Sequence, residues 1–181
     1  MEPVWNILAW VVLPLWVLAG FLDYLCHRRS DIEHATGTLE TMIHWLMLAE
    51  IGVPLLLVVL FRINALVIAA MLVCLVAHEI TGYFDLRLAM ATRRVTVFEH
   101  QVHSLLEVLP LAAALLLMIL HWPQAMALFG AGREPAEWFI GRKQMPRLAE
   151  CILPGAAFFL FAVLPYAEEL YRGLRAKDRL R

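Results

Sequence analysis

Charge is scarce in this sequence. Only 17% of its residues are Asp, Glu, Lys or Arg, while 62% are hydrophobic; soluble domains carry about 25% charged residues. A water-exposed globule of this composition would have too little polar surface to cover itself, so the expected solvent for most of the chain is lipid. The net charge of −1 offers no electrostatic basis for nucleic-acid binding, and no nucleic-acid partner is expected. The three cysteines, Cys26, Cys74 and Cys151, stand singly in apolar stretches without a CxxC pair. They imply neither a disulfide framework nor a thiolate zinc site and read as buried small apolar side chains. A basic segment before the first apolar stretch is missing too, with Glu2 in its place, and there is no small-x-small cleavage site. That stretch is expected to be a retained span rather than a signal peptide. With no internal repeat and no low-complexity tract, residues 1–181 read as one domain.

What the chain does have is five long apolar segments, each near the roughly 20 residues that cross a hydrocarbon core as helix. They run from about Val4 to Cys26, Leu39 to Phe61, Asn64 to Phe84, Val95 to Leu120 and Leu148 to Tyr171. Only Arg62 and Ile63 separate the second from the third, which predicts a tight helical hairpin. Pro14, Pro54 and Pro110 lie inside spans, where neighbouring groups can re-satisfy the freed backbone. Residues 121–146 read as an interfacial loop with a short amphipathic turn. The expected fold class is an all-α integral membrane protein whose first four helices form a metal-binding bundle. Arginines and lysines favour the first and third connections and the C-terminal tail, which puts the N-terminus outside and the C-terminus in the cytoplasm. A bacterial inner membrane or its equivalent is the expected location.

Six of the seven histidines lie between residues 27 and 103. On the five-span pattern they gather, with carboxylates, at the cytoplasmic side. Asp23 and His27 close the first helix, and Asp31, Glu33 and His34 occupy the connection. Glu40 and His44 open the second helix, with Glu50 deeper. His78, Glu79 and Asp85 close the third, and Glu99, His100, His103 and Glu107 open the fourth. Asp23 and His27, Glu40 and His44, and Glu99 and His103 are each four apart and so share a helical face. Ionisable groups inside membrane helices are expensive and usually mark function. So many acids would repel one another unless cations or protons compensated them. Metal ions do this with the fewest assumptions.

Imidazole with carboxylate suits iron, zinc, manganese or copper. One tetrahedral zinc uses three or four protein ligands, and this set offers more, so two ions, or three, are expected, with iron favoured and zinc or a mixed iron/zinc pair as the alternative. The candidate ligands are Asp23, His27, His34, Glu40, His44, His78, Asp85, Glu99, His100, His103 and Glu107. Residues 23–107 resemble, in architecture, the di-iron carboxylate bundles, which place Glu and Glu-x-x-His ligands on four facing helices. Glu40 and His44 depart from that motif by one residue of spacing. Integral-membrane desaturases and fatty-acid hydroxylases are similar in pairing two metals with histidines, but of their histidine boxes only the single HxxH of His100 and His103 is present. An HExxH motif is absent, since Ile80, Thr81 and Gly82 follow His78 and Glu79.

Two enzymatic readings follow. In the first, a dinuclear centre serves an oxidoreductase or hydroxylase acting on a lipid or other hydrophobic substrate, with Glu50, Glu79 or Glu107 moving protons. Its electron donor is unknown, because no nicotinamide or flavin motif is present. In the second, a zinc hydrolase attacks a lipid amide or ester with Glu79 as base. Metal transport or chaperoning predicts polar residues through the full membrane depth, and they are concentrated at one side. Haem ligation by a pair such as His44 and His103 fits poorly with so many acids, so no haem is expected. Arg28, Arg29, Arg87, Arg93 and Arg94 ring the same face and are candidates to hold a lipid headgroup, although positive-inside topology alone explains them. Glu168 and Glu169 end the fifth span near the cytoplasmic level, within reach of the cluster, and read as solvated acids balancing the basic tail; His121 reads as an interfacial residue at the opposite side.

Overall fold

The computed structural model describes residues 2–143 and 148–179, with side chains placed for 3–143 and 152–177. Residues 144–147 lie outside the described residues, as do the side chains of Cys151, Arg179 and Arg181. Five helices are long and apolar enough to cross a membrane: α1 (Pro3–Arg29), α3 (Thr38–Leu60), α4 (Ala65–Thr92), α5 (Val97–Leu120) and α7 (Ile152–Lys177). Two short helices join them, α2 (Ile32–Ala35) and α6 (Trp122–Leu128). Among the described residues there is no strand, only an isolated bridge between Phe61 and Arg142.

The helices run past the apolar segments that announce them. The α4 helix continues through Asp85 and Arg87 to Thr92, because no breaker intervenes and its inner face stays occupied. Ile68, Met71, Leu75, His78, Gly82, Asp85 and Ala89 recur at alternating spacings of three and four, and all are buried. That single stripe is apolar at one end and polar at the other. Both π-helical stretches, Leu8–Val12 in α1 and Phe159–Val163 in α7, sit one turn before a proline, Pro14 and Pro165. A proline ring clashes with the carbonyl four residues back and lacks an N–H, and widening that turn accommodates it.

The helices pack in a closed ring in the order α1, α5, α4, α3, α7 and back to α1. At one end the interior is apolar, with Val58, Val67, Ile68, Met71, Leu75, Ala114, Leu117 and Ala125 in one cluster. The tight hairpin predicted between α3 and α4 is present. Asn64 caps α4 by accepting from Val67 N and donates to Phe139 O at 2.8 Å, and Arg62 N donates to Gly141 O at 2.8 Å. The long outer loop is thereby fastened to the hairpin. The outside of the ring carries large exposed apolar side chains, including Trp10, Val73 and Leu153. Cys26 and Cys74, expected to be buried, are half-buried.

Candidate metal centre

At the other end of the ring the interior is polar. Asp23, His27, Glu40, His44, His78, Asp85, Glu99, His103 and Glu169 are all buried there. Each comes from a helix stripe that is apolar or small elsewhere. On α1 these are Ala19, Gly20, Asp23, Tyr24 and His27, and on α7 Ala162, Tyr166, Glu169 and Gly173.

Local structure aims the acids. Thr96 and Glu99 form a capping box: Glu99 N donates to Thr96 Oγ1 at 3.1 Å, and Thr96 N donates to Glu99 Oε2 at 3.4 Å. The cap holds one oxygen of Glu99, and the other, Oε1, faces His27 Nε2 at 3.7 Å. Glu40, in the first turn of α3, places Oε1 3.8 Å from the same nitrogen, and Asp23 places Oδ1 3.4 Å away. On the neighbouring ring, His44 Nε2 lies 3.3 Å from Asp85 Oδ1. His103 Nε2 lies 3.0 Å from Asp23 Oδ1, and its Nδ1 is 3.9 Å from Asp85 Oδ2.

Glu169 organises the two central imidazoles. The His27 and His44 rings are stacked, with centroids 4.6 Å apart and planes 5° from parallel. His27 Nδ1 bonds one Glu169 oxygen at 3.2 Å and His44 Nδ1 bonds the other at 2.9 Å. A carboxylate only accepts, so both Nδ1 atoms carry a proton, and a neutral imidazole held in this way presents its Nε2 lone pair. Those lone pairs point at further carboxylates, which cannot donate to them. His27 Nε2, His44 Nε2, His103 Nε2, Asp23 Oδ1 and both oxygens of Asp85 make no hydrogen bond among the described residues. Two buried triads, Asp23/His27/His103 and His27/Glu40/His44, bring ligand atoms close enough together to hold a metal ion, as does a third at the surface, Asp31/Glu33/His34.

Arg93 supplies the one buried guanidinium in the cluster, contacting Glu40 Oε1 at 2.7 Å and Glu99 Oε1 at 2.6 Å. Burial opposes its charge, but these two carboxylates hold its pKa above the ordinary value. Five buried acids (Asp23, Glu40, Asp85, Glu99 and Glu169) thus face one arginine. With neutral imidazoles the excess is four negative charges, which two divalent cations would balance. Outside the cluster, Arg172 pairs with Glu33 and Glu168, and Tyr24 donates to Glu168 at 2.9 Å, closing this end.

No known protein family, curated protein or solved structure matches this chain. The centre therefore has to be read from its own geometry.

Of the ligands expected from sequence, Asp23, His27, Glu40, His44, Asp85, Glu99 and His103 come together. The structure places the others elsewhere. His34 is exposed and pairs with Asp31 at 3.1 Å, in a surface group with Glu33. His100 is exposed because at about 100° per residue it sits well round from Glu99 and leaves the buried stripe. Glu107, on the same flank, is half-buried and borders a cavity. His78 is buried a turn deeper, 3.8 Å from Glu50, and Glu50 accepts from Thr81 at 2.8 Å. Glu79, next to the α4 stripe, is exposed. Of the five candidate headgroup arginines, Arg28, Arg29, Arg87 and Arg94 are exposed, with Arg28 beside Glu168 and Tyr24, whereas Arg93 turns inward. The cluster also draws on α7 and is not confined to the first four helices. Glu169, expected to be solvated, is buried at its centre. The signal for it was the spacing of Ala162, Tyr166, Glu169 and Gly173 along one face.

Proposed function

We propose that this protein is a membrane-embedded metalloprotein whose five-helix ring holds two metal ions among Asp23, His27, Glu40, His44, Asp85, Glu99 and His103. The observation that carries this reading is the pair of hydrogen bonds that Glu169 accepts from His27 and His44. It fixes two stacked imidazoles with their Nε2 lone pairs turned onto carboxylates, the outer support that metal-binding histidines ordinarily have. The apolar outer surface supports insertion in lipid. The exposed Arg28, Arg29, Arg87 and Arg94 favour placing the polar end at the cytoplasmic face, where they are available to a lipid headgroup.

We take the activity to be oxidation or hydroxylation of a hydrophobic substrate. Donors limited to nitrogen and oxygen, in greater number than one zinc ion uses, favour a dinuclear iron site; bound iron would supply redox chemistry there. The chain's own part is to hold the site dry, orient the imidazoles through Glu169 and balance charge through Arg93. Hydrolysis at zinc is the second reading, favoured by Glu107, a half-buried carboxylate beside the cluster placed to act as base. Elemental analysis of detergent-purified protein, with an absorption spectrum, tests both. About two irons per chain support the first reading, and zinc alone supports the second. Wild-type protein without stoichiometric metal, or a His103→Ala variant that keeps its full complement, overturns the metal centre.

A further inference from the structure

Directly beneath the cluster lies a small cavity of about 50 Å³, bordered by His44, Asp85 and His103 on the polar side and by Trp16, Met47 and Leu106 on the apolar side. His78 and Glu107 also border it. His78 is buried, and neither of its ring nitrogens makes a hydrogen bond among the described residues; nor does the indole Nε1 of Trp16. Buried polar atoms without partners are rare in proteins and call for an explanation. Trp16 also borders a second cavity of about 240 Å³, lined almost wholly by apolar side chains such as Leu13, Ile51, Leu55 and Pro110. The small cavity has room for a few atoms, the large one for a chain.

We propose that these two cavities form one binding site for an uncharged hydrocarbon chain ending in a hydroxyl or carbonyl oxygen. The oxygen accepts from Trp16 Nε1–H and from an imidazole N–H of His78, and the chain runs past Trp16 into the apolar cavity. Charge selects the head. Glu107, an acid outside the proposed ligand set, borders the small cavity, so a carboxylate or phosphate would meet a like charge there. Glycine makes the space: a Cβ on Gly82 would meet Met47 Cε at 3.5 Å and Glu107 Oε1 at 3.6 Å. Alanine is tolerated at those distances, whereas a larger side chain fills the cavity. The role of this site as the substrate pocket rests on the metal-centre reading, but its occupancy can be read separately.

The test is photolabelling of the purified, metal-loaded protein in detergent with a long-chain alcohol bearing a chain-terminal diazirine. The carboxylic acid of the same chain is the comparison, and labelled peptides are mapped by mass spectrometry. The expected result is saturable labelling of the α1 and α3 peptides by the alcohol and little by the acid. His78→Leu should lower it about fivefold, the factor that one hydrogen bond is typically worth, and Gly82→Leu, which fills the cavity, at least as much. Gly82→Ala should label as wild type and serves as the folding control, with helicity checked by circular dichroism. Metal content should be unchanged in all three variants. Equal labelling by acid and alcohol, or labelling indifferent to Gly82→Leu, would overturn the proposal. So would loss of metal in His78→Leu, which would make His78 a ligand. Metal-free wild-type protein that still labels as described would refute the metal centre and leave the pocket standing.

Discussion

Replacing Glu169 with glutamine probes the centre with the least disturbance of packing. The carboxylate accepts from His44 Nδ1 at 2.9 Å and from His27 Nδ1 at 3.2 Å. Glutamine keeps the size but offers one oxygen and one amide nitrogen. Its oxygen can still accept from one ring, whereas its N–H must donate to the other. The second ring then moves its proton to Nε2, the atom that faces Asp23, Glu40 and Glu99 on His27 or Asp85 on His44. One imidazole is lost as a ligand although no ligand has been mutated. Loss of such a supporting partner typically weakens metal binding about 10–100-fold, or about 1.4–2.8 kcal/mol. Glu169→Ala removes both acceptors and should cost more, and Glu169→Asp should recover part of the affinity. Chelator-competition titrations with zinc or cobalt on detergent-purified protein measure the effect, with circular dichroism confirming that the ring is intact. A folded Glu169→Gln protein with wild-type metal affinity would refute the reasoning, because the tautomers would then not be set by this residue.

Three further outcomes are expected. Arg93→Ala leaves Glu40 and Glu99 without their guanidinium; breaking a buried pair typically costs about 3–5 kcal/mol, so unfolding should occur at much lower denaturant without metal and recover when metal is added. An equal loss in both conditions would show that the two acids do not face an ion. His34→Ala and His100→Ala, at exposed positions, should leave metal stoichiometry unchanged, and a drop in either would place that histidine in the centre. At the apolar end, burial holds the His121 imidazole below its ordinary pKa of 6.5, Lys143 adds to this, and the ring donates to Leu117 O. A folded state that resists protonation loses stability as pH falls below 6.5 toward the lowered value. Thermal unfolding should therefore show a decline below that pH that His121→Asn reduces; an identical pH profile in the variant would refute the assignment.

Local pattern alone determined the five apolar helices, the tight turn at Arg62 and Ile63, and the gathering of histidines and acids at one end. Helix length and hydropathy are properties of consecutive residues, and so is the level at which a side chain lies along a helix. Which of those side chains turn inward is not a property of consecutive residues. Glu99 and His100 are adjacent in sequence, yet one is buried and the other exposed, because the neighbouring helices cover only one face of α5. The role of Arg93 depended on the turn between α4 and α5 bringing it onto Glu40 and Glu99, which spacing along the chain does not encode. The place of Glu169 was decided by the ring itself. Only when α7 closes between α1 and α3 do His27 and His44 stack, and only then does a carboxylate more than a hundred positions away in sequence reach both rings. Composition and periodicity set the depth of each group along its helix; packing around the ring set its direction, and direction is what makes a set of ligand types into a site.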